Sequence, residues 1–144
     1  MQISIDTSKL VTAAAQMQAY KDAKITTLSA ACRAAITAGF ESDALGELHL
    51  YPSKETDQLN LAGSVTDSLL ADLPADWVTP FWCADSTGEW AMRPHTATQI
   101  QQVGREAKAR ILSLMQHNAA LAEQVQLAPD KAAVDQIVWE YPAA

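Results

Sequence analysis

Three histidines, two cysteines and the turn Asp85-Ser86-Thr87-Gly88 are the residues with the widest chemical repertoire in this chain. His49, His95 and His117 fall on three different expected elements. No His-x-x-x-His or Cys-x-x-Cys pair joins them, so a zinc-type site has no local motif to start from. Asp85, Ser86 and His95 supply the residue types of a hydrolytic triad, but Ser86 sits in no Gly-x-Ser-x-Gly elbow and no oxyanion donor is evident. A polar hairpin turn accounts for these residues more simply. Asp72 and Asp76 read as solvated helix ends, and the five glycines are isolated, so no phosphate loop forms. Cys32, among alanines, and Cys83, beside Trp82, read as small buried hydrophobes in a reducing compartment. The expectation is a non-enzyme that holds neither cofactor nor metal.

Composition narrows the partners. The chain has 144 residues, a formal charge of −7 and a pI near 4.7. Arg105, Lys108 and Arg110 share a helix with Glu106, which makes a mixed-charge solvated face. Nucleic-acid binding, which needs a concentrated basic surface, is not expected. No window approaches the ~20 apolar residues of a membrane span, and MQISIDTSKL lacks the basic start and apolar run of a signal peptide. A single soluble domain folding in a cytoplasm is expected.

The elements that must position these residues read as α+β. Residues 1–8 form an extended N-terminal arm, with strand-like alternation from Gln2 to Asp6. Asp6, Thr7 or Ser8 caps a helix running to Ala38, closed by Gly39. Its stripe is Leu10, Ala14, Met17, Lys21, Ile25, Leu28, Cys32, Ala35 and Ile36, interrupted by Lys21. So narrow a stripe needs a second helix along it, from this chain or another. A short hairpin follows around Asp43-Ala44-Leu45-Gly46, with Leu48 and Leu50 alternating against Glu47, His49 and Tyr51. Ser53 caps a shorter helix with Leu59, Ala62, Val65, Leu69 and Leu73 on one face, closed by Pro74. Gly63 inside it calls for a close packing contact.

A linker, Pro74 to Pro80, leads to a second hairpin, Phe81–Asp85 with Glu89–Met92. The two hairpins form a small antiparallel sheet, and tryptophans on the second belong to the thick part of a core. Thr96 and Gln99 form a capping box for a long helix with the stripe Ile100, Val103, Ala107, Ile111, Leu114, Met115, Asn118, Leu121 and Val125. The two long helices pair, and a short helix from Asp130 to Trp139 ends the 129–144 tail. Tyr51, Asp57, Gln58 and Asn60 are expected to join the first hairpin to the following helix. Gln58 or Asn60 satisfies backbone edges there, while Leu59 and Leu61 reach apolar neighbours. Replacing Asn60 should then lower thermal stability.

Three segments, in order, carry a resemblance. They are Ala38-Gly39-Phe40-Glu41-Ser42 with Ala44-Leu45-Gly46 and Tyr51; Asp57-Gln58-Leu59-Asn60-Leu61 with Gly63; and Trp82-Cys83-Ala84-Asp85 with Gly88-Glu89-Trp90, His95-Thr96 and Gln99-Ile100. Over residues 25–125 the chain resembles a phage tail-associated domain family of unknown function (domain of unknown function 4376), whose members often carry the name tail-fibre assembly protein. The resemblance supplies no catalytic residues. It implies a partner among phage tail-fibre or baseplate proteins. The protein would act in the host cytoplasm as an assembly chaperone, or remain as a subunit of the virion tail. Trp77, Trp82, Trp90, Trp139 and Tyr141 are the candidate partner-binding residues, since buried aromatic anchors dominate interfaces. A homo-oligomer bundled through the first helix is the alternative.

Overall fold

The computed structural model describes residues 1–4 and 12–141. Its elements follow the order α1 (Ala13–Thr37), β1 (Phe40–Ser42), β2 (His49–Tyr51), α2 (Glu55–Ser68), β3 (Val78–Ala84), β4 (Trp90–Thr96), α3 (Ala97–Leu127) and α4 (Lys131–Gln136). The fold is α+β, as expected: two long helices, two shorter ones, and two hairpins joined in an antiparallel sheet of order β1-β2-β3-β4.

α1 begins where the Thr12 hydroxyl accepts the Ala15 amide at 3.0 Å. The expected caps Asp6, Thr7 and Ser8, and Leu10 of the stripe, lie outside the described residues. Residues 2–4, part of the expected arm, are exposed and without regular secondary structure. At the other end Gly39 adopts φ 101°, the left-handed conformation that ends a helix. A Cβ there would also stand 2.5 Å from the Tyr51 carbonyl oxygen, so glycine is required twice over.

The long helices α1 and α3 pair antiparallel within the chain. The Cys32 thiol reaches the Leu114 carbonyl oxygen at 3.5 Å, and Gln18 meets Gln126 at 3.2 Å near the opposite ends. Lys21, the apparent break in the stripe, donates from Nζ to the Gln126 carbonyl oxygen at 2.7 Å. That carbonyl lies in the last turn of α3, where the helix dipole favours a cation. Leu28, Leu121, Val125, Ala128 and Val134 form one apolar cluster, closed by α4. α4 is shorter than expected, and Asp130 caps it by accepting the Ala133 amide at 2.8 Å.

The second cluster lies under the sheet and contains Phe40, Tyr51, Leu61, Phe81, Cys83, Ile100, Val103 and Ala107. α3 spans both clusters, and most of its expected stripe is buried; Met115 faces out. Its capping box is present. Thr96 Oγ1 accepts the Gln99 amide at 3.3 Å, and Gln99 Oε1 accepts the Thr96 amide at 2.9 Å.

Several local expectations are corrected here. α2 stops at Ser68 rather than running to Leu73, and Asp72 takes φ 63° in the turn that follows. Lys54, not Ser53, occupies the cap position, and Asp57 Oδ2 accepts the Lys54 amide at 3.0 Å. The buried face of α2 is Leu61, Ser64 and Ser68, whereas Leu59 is 73% exposed. Gly63 faces open space; the close approach is at Gly104, where a Cβ would meet Val65 Cγ2 at 2.7 Å. β3 begins within the expected linker and β4 runs through Pro94, with Pro80 opposite Pro94. Prolines are tolerated there because β2 meets β3 through Leu50 and Ala84, at the other end of the strand, so Pro80 lies on a local edge.

Candidate functional site: the outer face of the sheet

Side chains alternate across a strand, so each strand must commit one set to the helices and the other to solvent. Phe40, Ser42, His49, Tyr51, Phe81, Cys83 and His95 take the inner face and are buried. This inverts the first hairpin's apparent patterning. Leu48 and Leu50 point outward, and His49 with Tyr51 point in, because the inner face offers the imidazole and phenol polar partners. His49 Nδ1 lies 2.8 Å from the Glu47 carbonyl oxygen.

Tyr51 is the centre of that inner face. Its ring stacks on Phe40 at 5.5 Å and meets Phe81 at 6.2 Å and His95 at 5.7 Å. His95 Nδ1 faces the Arg93 carbonyl oxygen at 2.8 Å, which can only accept, so Nδ1 carries the proton. Nε2 therefore accepts from the Tyr51 hydroxyl at 2.7 Å. Burial lowers the His95 pKa from its ordinary value, the bond to the Arg93 carbonyl opposes this, and nearby His49 lowers it further. Burial raises the Tyr51 phenol, and so does Cys83 beside it. Both groups are held neutral and sealed from solvent, a satisfied polar core rather than an exposed acid–base pair.

The outer face is where apolar surface is open. Glu41, Leu50, Ala84 and Trp90 lie in one row across the four strands, with Trp82 and Met92 paired in the next row. Trp82 and Trp90 are 44% and 39% exposed and stack on each other, ring centroids 6.1 Å apart at 19°. Leu48, Val78 and Met92 are exposed with them. The tryptophans therefore do not thicken the core, as the sequence led us to expect; Trp77 does, packing against the cluster under the sheet. A stacked indole pair amid exposed aliphatic side chains is surface that solvent disfavours and that a partner could bury.

The turn beside this face is rigid. Asp85 Oδ1 accepts from the Thr87 amide at 2.9 Å, the Thr87 hydroxyl at 2.6 Å and the Glu89 amide at 3.1 Å. These bonds, led by the Thr87 hydroxyl, lower the Asp85 pKa. Arg93 binds Asp85 Oδ2 at 3.1 Å and also donates to the Cys83 carbonyl oxygen. Asp85 is thus committed to its turn, and the hydrogen bonds of His95 go to Tyr51 and Arg93, so the triad residue types are not assembled.

Trp139 and Tyr141 occupy a different place. They stack at 6.4 Å and both meet His117 of α3 edge-on, at 5.0 and 5.3 Å, while Arg110 lies 4.7 Å over the Tyr141 ring. The tail is therefore docked on its own chain. Of the expected joint residues, Asp57 and Gln58 bond to the backbone between the first hairpin and α2, Asp57 accepting the Lys54 amide and Gln58 Nε2 donating to the Ser53 carbonyl oxygen at 2.9 Å, while Tyr51 turns into the core under the sheet. Asn60 is exposed on the solvent side of α2, away from that joint. The five aromatic candidates thus separate into an outer pair, a core residue and a tail pair. Leu48, Leu50, Val78 and Met92 of the outer face were not singled out from sequence. Their signal was the two-residue period that places Trp82 opposite in sense to Phe81 and Cys83.

These features define a small α+β protein with one face of its sheet left uncovered by the described residues. The model of the family described as Domain of unknown function (DUF4376) matches residues 9–138, and the chain belongs to that family. The match extends past the 25–125 stretch at both ends and takes in α4. No curated protein and no solved structure matches the chain. No helix among the described residues is long and apolar enough to cross a membrane, and none of their His, Cys, Asp and Glu residues cluster in threes suited to a metal.

Proposed function

We propose that this protein is a non-catalytic phage tail accessory protein that binds a tail-fibre or baseplate component through the outer face of its sheet. The observation that carries the binding surface is the exposed, mutually stacked Trp82–Trp90 pair with Leu50 and Met92 beside it. Flat aromatic residues give large contact area at low entropic cost, which is why they anchor interfaces. The tail context comes from the ordered resemblance of the three sequence segments. Binding buries apolar surface on both sides, either transiently while fibres assemble in the host cytoplasm or permanently in the virion tail.

The alternative was an oligomer bundled through α1. The stripe that motivated it, with Leu28 and Cys32 at its centre, is covered by α3 of the same chain, so the accessory reading is preferred. The experiment is co-expression with each tail-fibre and baseplate protein of the same phage, followed by co-purification. A stoichiometric complex lost in Trp82→Ser/Trp90→Ser supports the proposal. No complex with any of them overturns it. Mass spectrometry of purified virions then separates a departing chaperone from a retained subunit.

A further inference from the structure

A second surface that the described residues leave uncovered lies on the helical side, away from the tryptophan pair. α2 and α3 pack antiparallel with their walls pinned by two contacts. Gln101 Nε2 donates to Ser68 Oγ at 3.1 Å, and Gly104 receives the Val65 side chain where any Cβ would clash. The axes approach so closely that a shallow groove of about 790 Å³ runs above the seam, between Pro52 at one end and Leu69 at the other. Its floor is Leu61, Val65, Ala107 and Ile111, and Leu69, 68% exposed, forms part of a wall. The small side chains of Ala62 and Ala109 keep the rim low.

The charge of this groove is opposite to that of the molecule. Arg105 and Lys108 line it and no acidic residue does, in a chain with formal charge −7. Among the described residues the ion pairs are Arg33–Glu55 and Arg93–Asp85, so neither rim cation is paired there. Within the lining, polar atoms come from few other side chains, chiefly Gln58 and Gln101, whose amides are committed to Ser53 and Ser68. The groove therefore offers an apolar floor with two free cations on one side. Its length from Gln101 to Ile111 corresponds to about three helical turns at 1.5 Å per residue.

From this complementarity we infer that the α2–α3 groove binds an acidic amphipathic helix of a partner protein. Leucine-type side chains would enter the seam and carboxylates would meet Arg105 and Lys108, completing a third helix beside the pair. This site is independent of the outer sheet face, and its test does not depend on the tail assignment.

The probe is a fluorescently labelled helical peptide of about three turns, with leucines on one face and glutamates on the other. Its control is the twin with every glutamate replaced by lysine. Anisotropy titration with the full chain should show saturable binding of the acidic peptide and binding about tenfold weaker for the basic twin. Arg105→Ala/Lys108→Ala should weaken the acidic peptide by a similar factor with an unchanged thermal melt. Leu69→Glu, at an exposed position, should also weaken it, whereas Trp82→Ser/Trp90→Ser should not. Absence of saturable binding, equal affinity for the two peptides, or indifference to the Arg105/Lys108 change would overturn the inference. Stoichiometric displacement by a medium-chain fatty acid would assign the groove to a lipid and overturn it equally.

Discussion

Tyr51→Phe tests the polar core under the sheet with one atom. Tyr51 and His95 are both fully buried, and their 2.7 Å bond satisfies the Nε2 lone pair. Removing the hydroxyl keeps the stack on Phe40 and Phe81, so the cavity term is small. What remains is the lost bond and an imidazole acceptor without a partner in a site closed to water. An orphaned buried acceptor costs about 1–3 kcal/mol. At this size, that corresponds to a melting temperature lower by about 3–10 °C. Removing both polar partners, as in Tyr51→Phe/His95→Leu, should cost at least about 1 kcal/mol less than the sum of the single changes. Circular dichroism melts with urea titrations measure both quantities. A Tyr51→Phe protein as stable as the parent, or strictly additive costs, would refute the pairing.

Three further outcomes follow from the same geometry. Gly63→Ala, in open space on α2, should stabilise by about 0.5–1 kcal/mol through helix propensity. Gly104→Ala should lose that gain to the clash with Val65 and be restored by adding Val65→Ala; equal stabilisation at both glycines in urea titrations would be inconsistent with the close approach. As to pH, His95 has a folded pKa below its unfolded one, so its contribution is complete above the unfolded value of about 6.5 and is lost as pH falls toward the folded value. Stability should therefore decline from about pH 7 to pH 5, before carboxylates titrate, and His95→Gln should flatten that decline in pH-dependent urea midpoints. The groups facing His95 that enter this balance are the Arg93 carbonyl, the Tyr51 hydroxyl and His49. Asn60→Ala, at an exposed position, should change stability by no more than about 0.5 kcal/mol, in contrast to Gln58→Ala, which strips the Ser53 carbonyl of its donor.

How much of this was legible in the sequence depended on whether the cause was local. Gly39 after α1 and the Thr96–Gln99 box are settled within a few residues, and both stand where their chemistry places them. The α3 stripe from Ile100 to Val125 was equally clear because a 3.6-residue period persists over many turns. The first hairpin misled because leucine outranks histidine and tyrosine in hydrophobicity. Polar partners reverse that order, a local one for His49 in the Glu47 carbonyl and a tertiary one for Tyr51 in His95 on the other hairpin. The second hairpin is longer than expected, taking in Pro80 from the expected linker and Pro94 beyond Met92, because their tolerance in strands depends on where β2 stops pairing with β3. Gly63 and Gly104 are indistinguishable by sequence, since what matters is whether Val65 lies opposite. Trp82 and Trp90 were legible as a cluster and, through the resemblance, as candidate partner-binding residues, while their place on a hairpin argued for the core. Trp82 and Trp90 alternate out of phase with Phe81 and Cys83, and only the helices covering the inner face decide which phase is inside.

The central claim is that the outer sheet face holds a tail-fibre or baseplate protein. It is tested most directly by co-purifying the chain, as parent and as Trp82→Ser/Trp90→Ser, with those proteins from the same phage. The expected result is a stoichiometric complex with the parent, and its loss in a variant that still unfolds cooperatively, since neither indole belongs to the buried core. A complex that survives the double substitution, or no complex with any tail-fibre or baseplate protein, would contradict it.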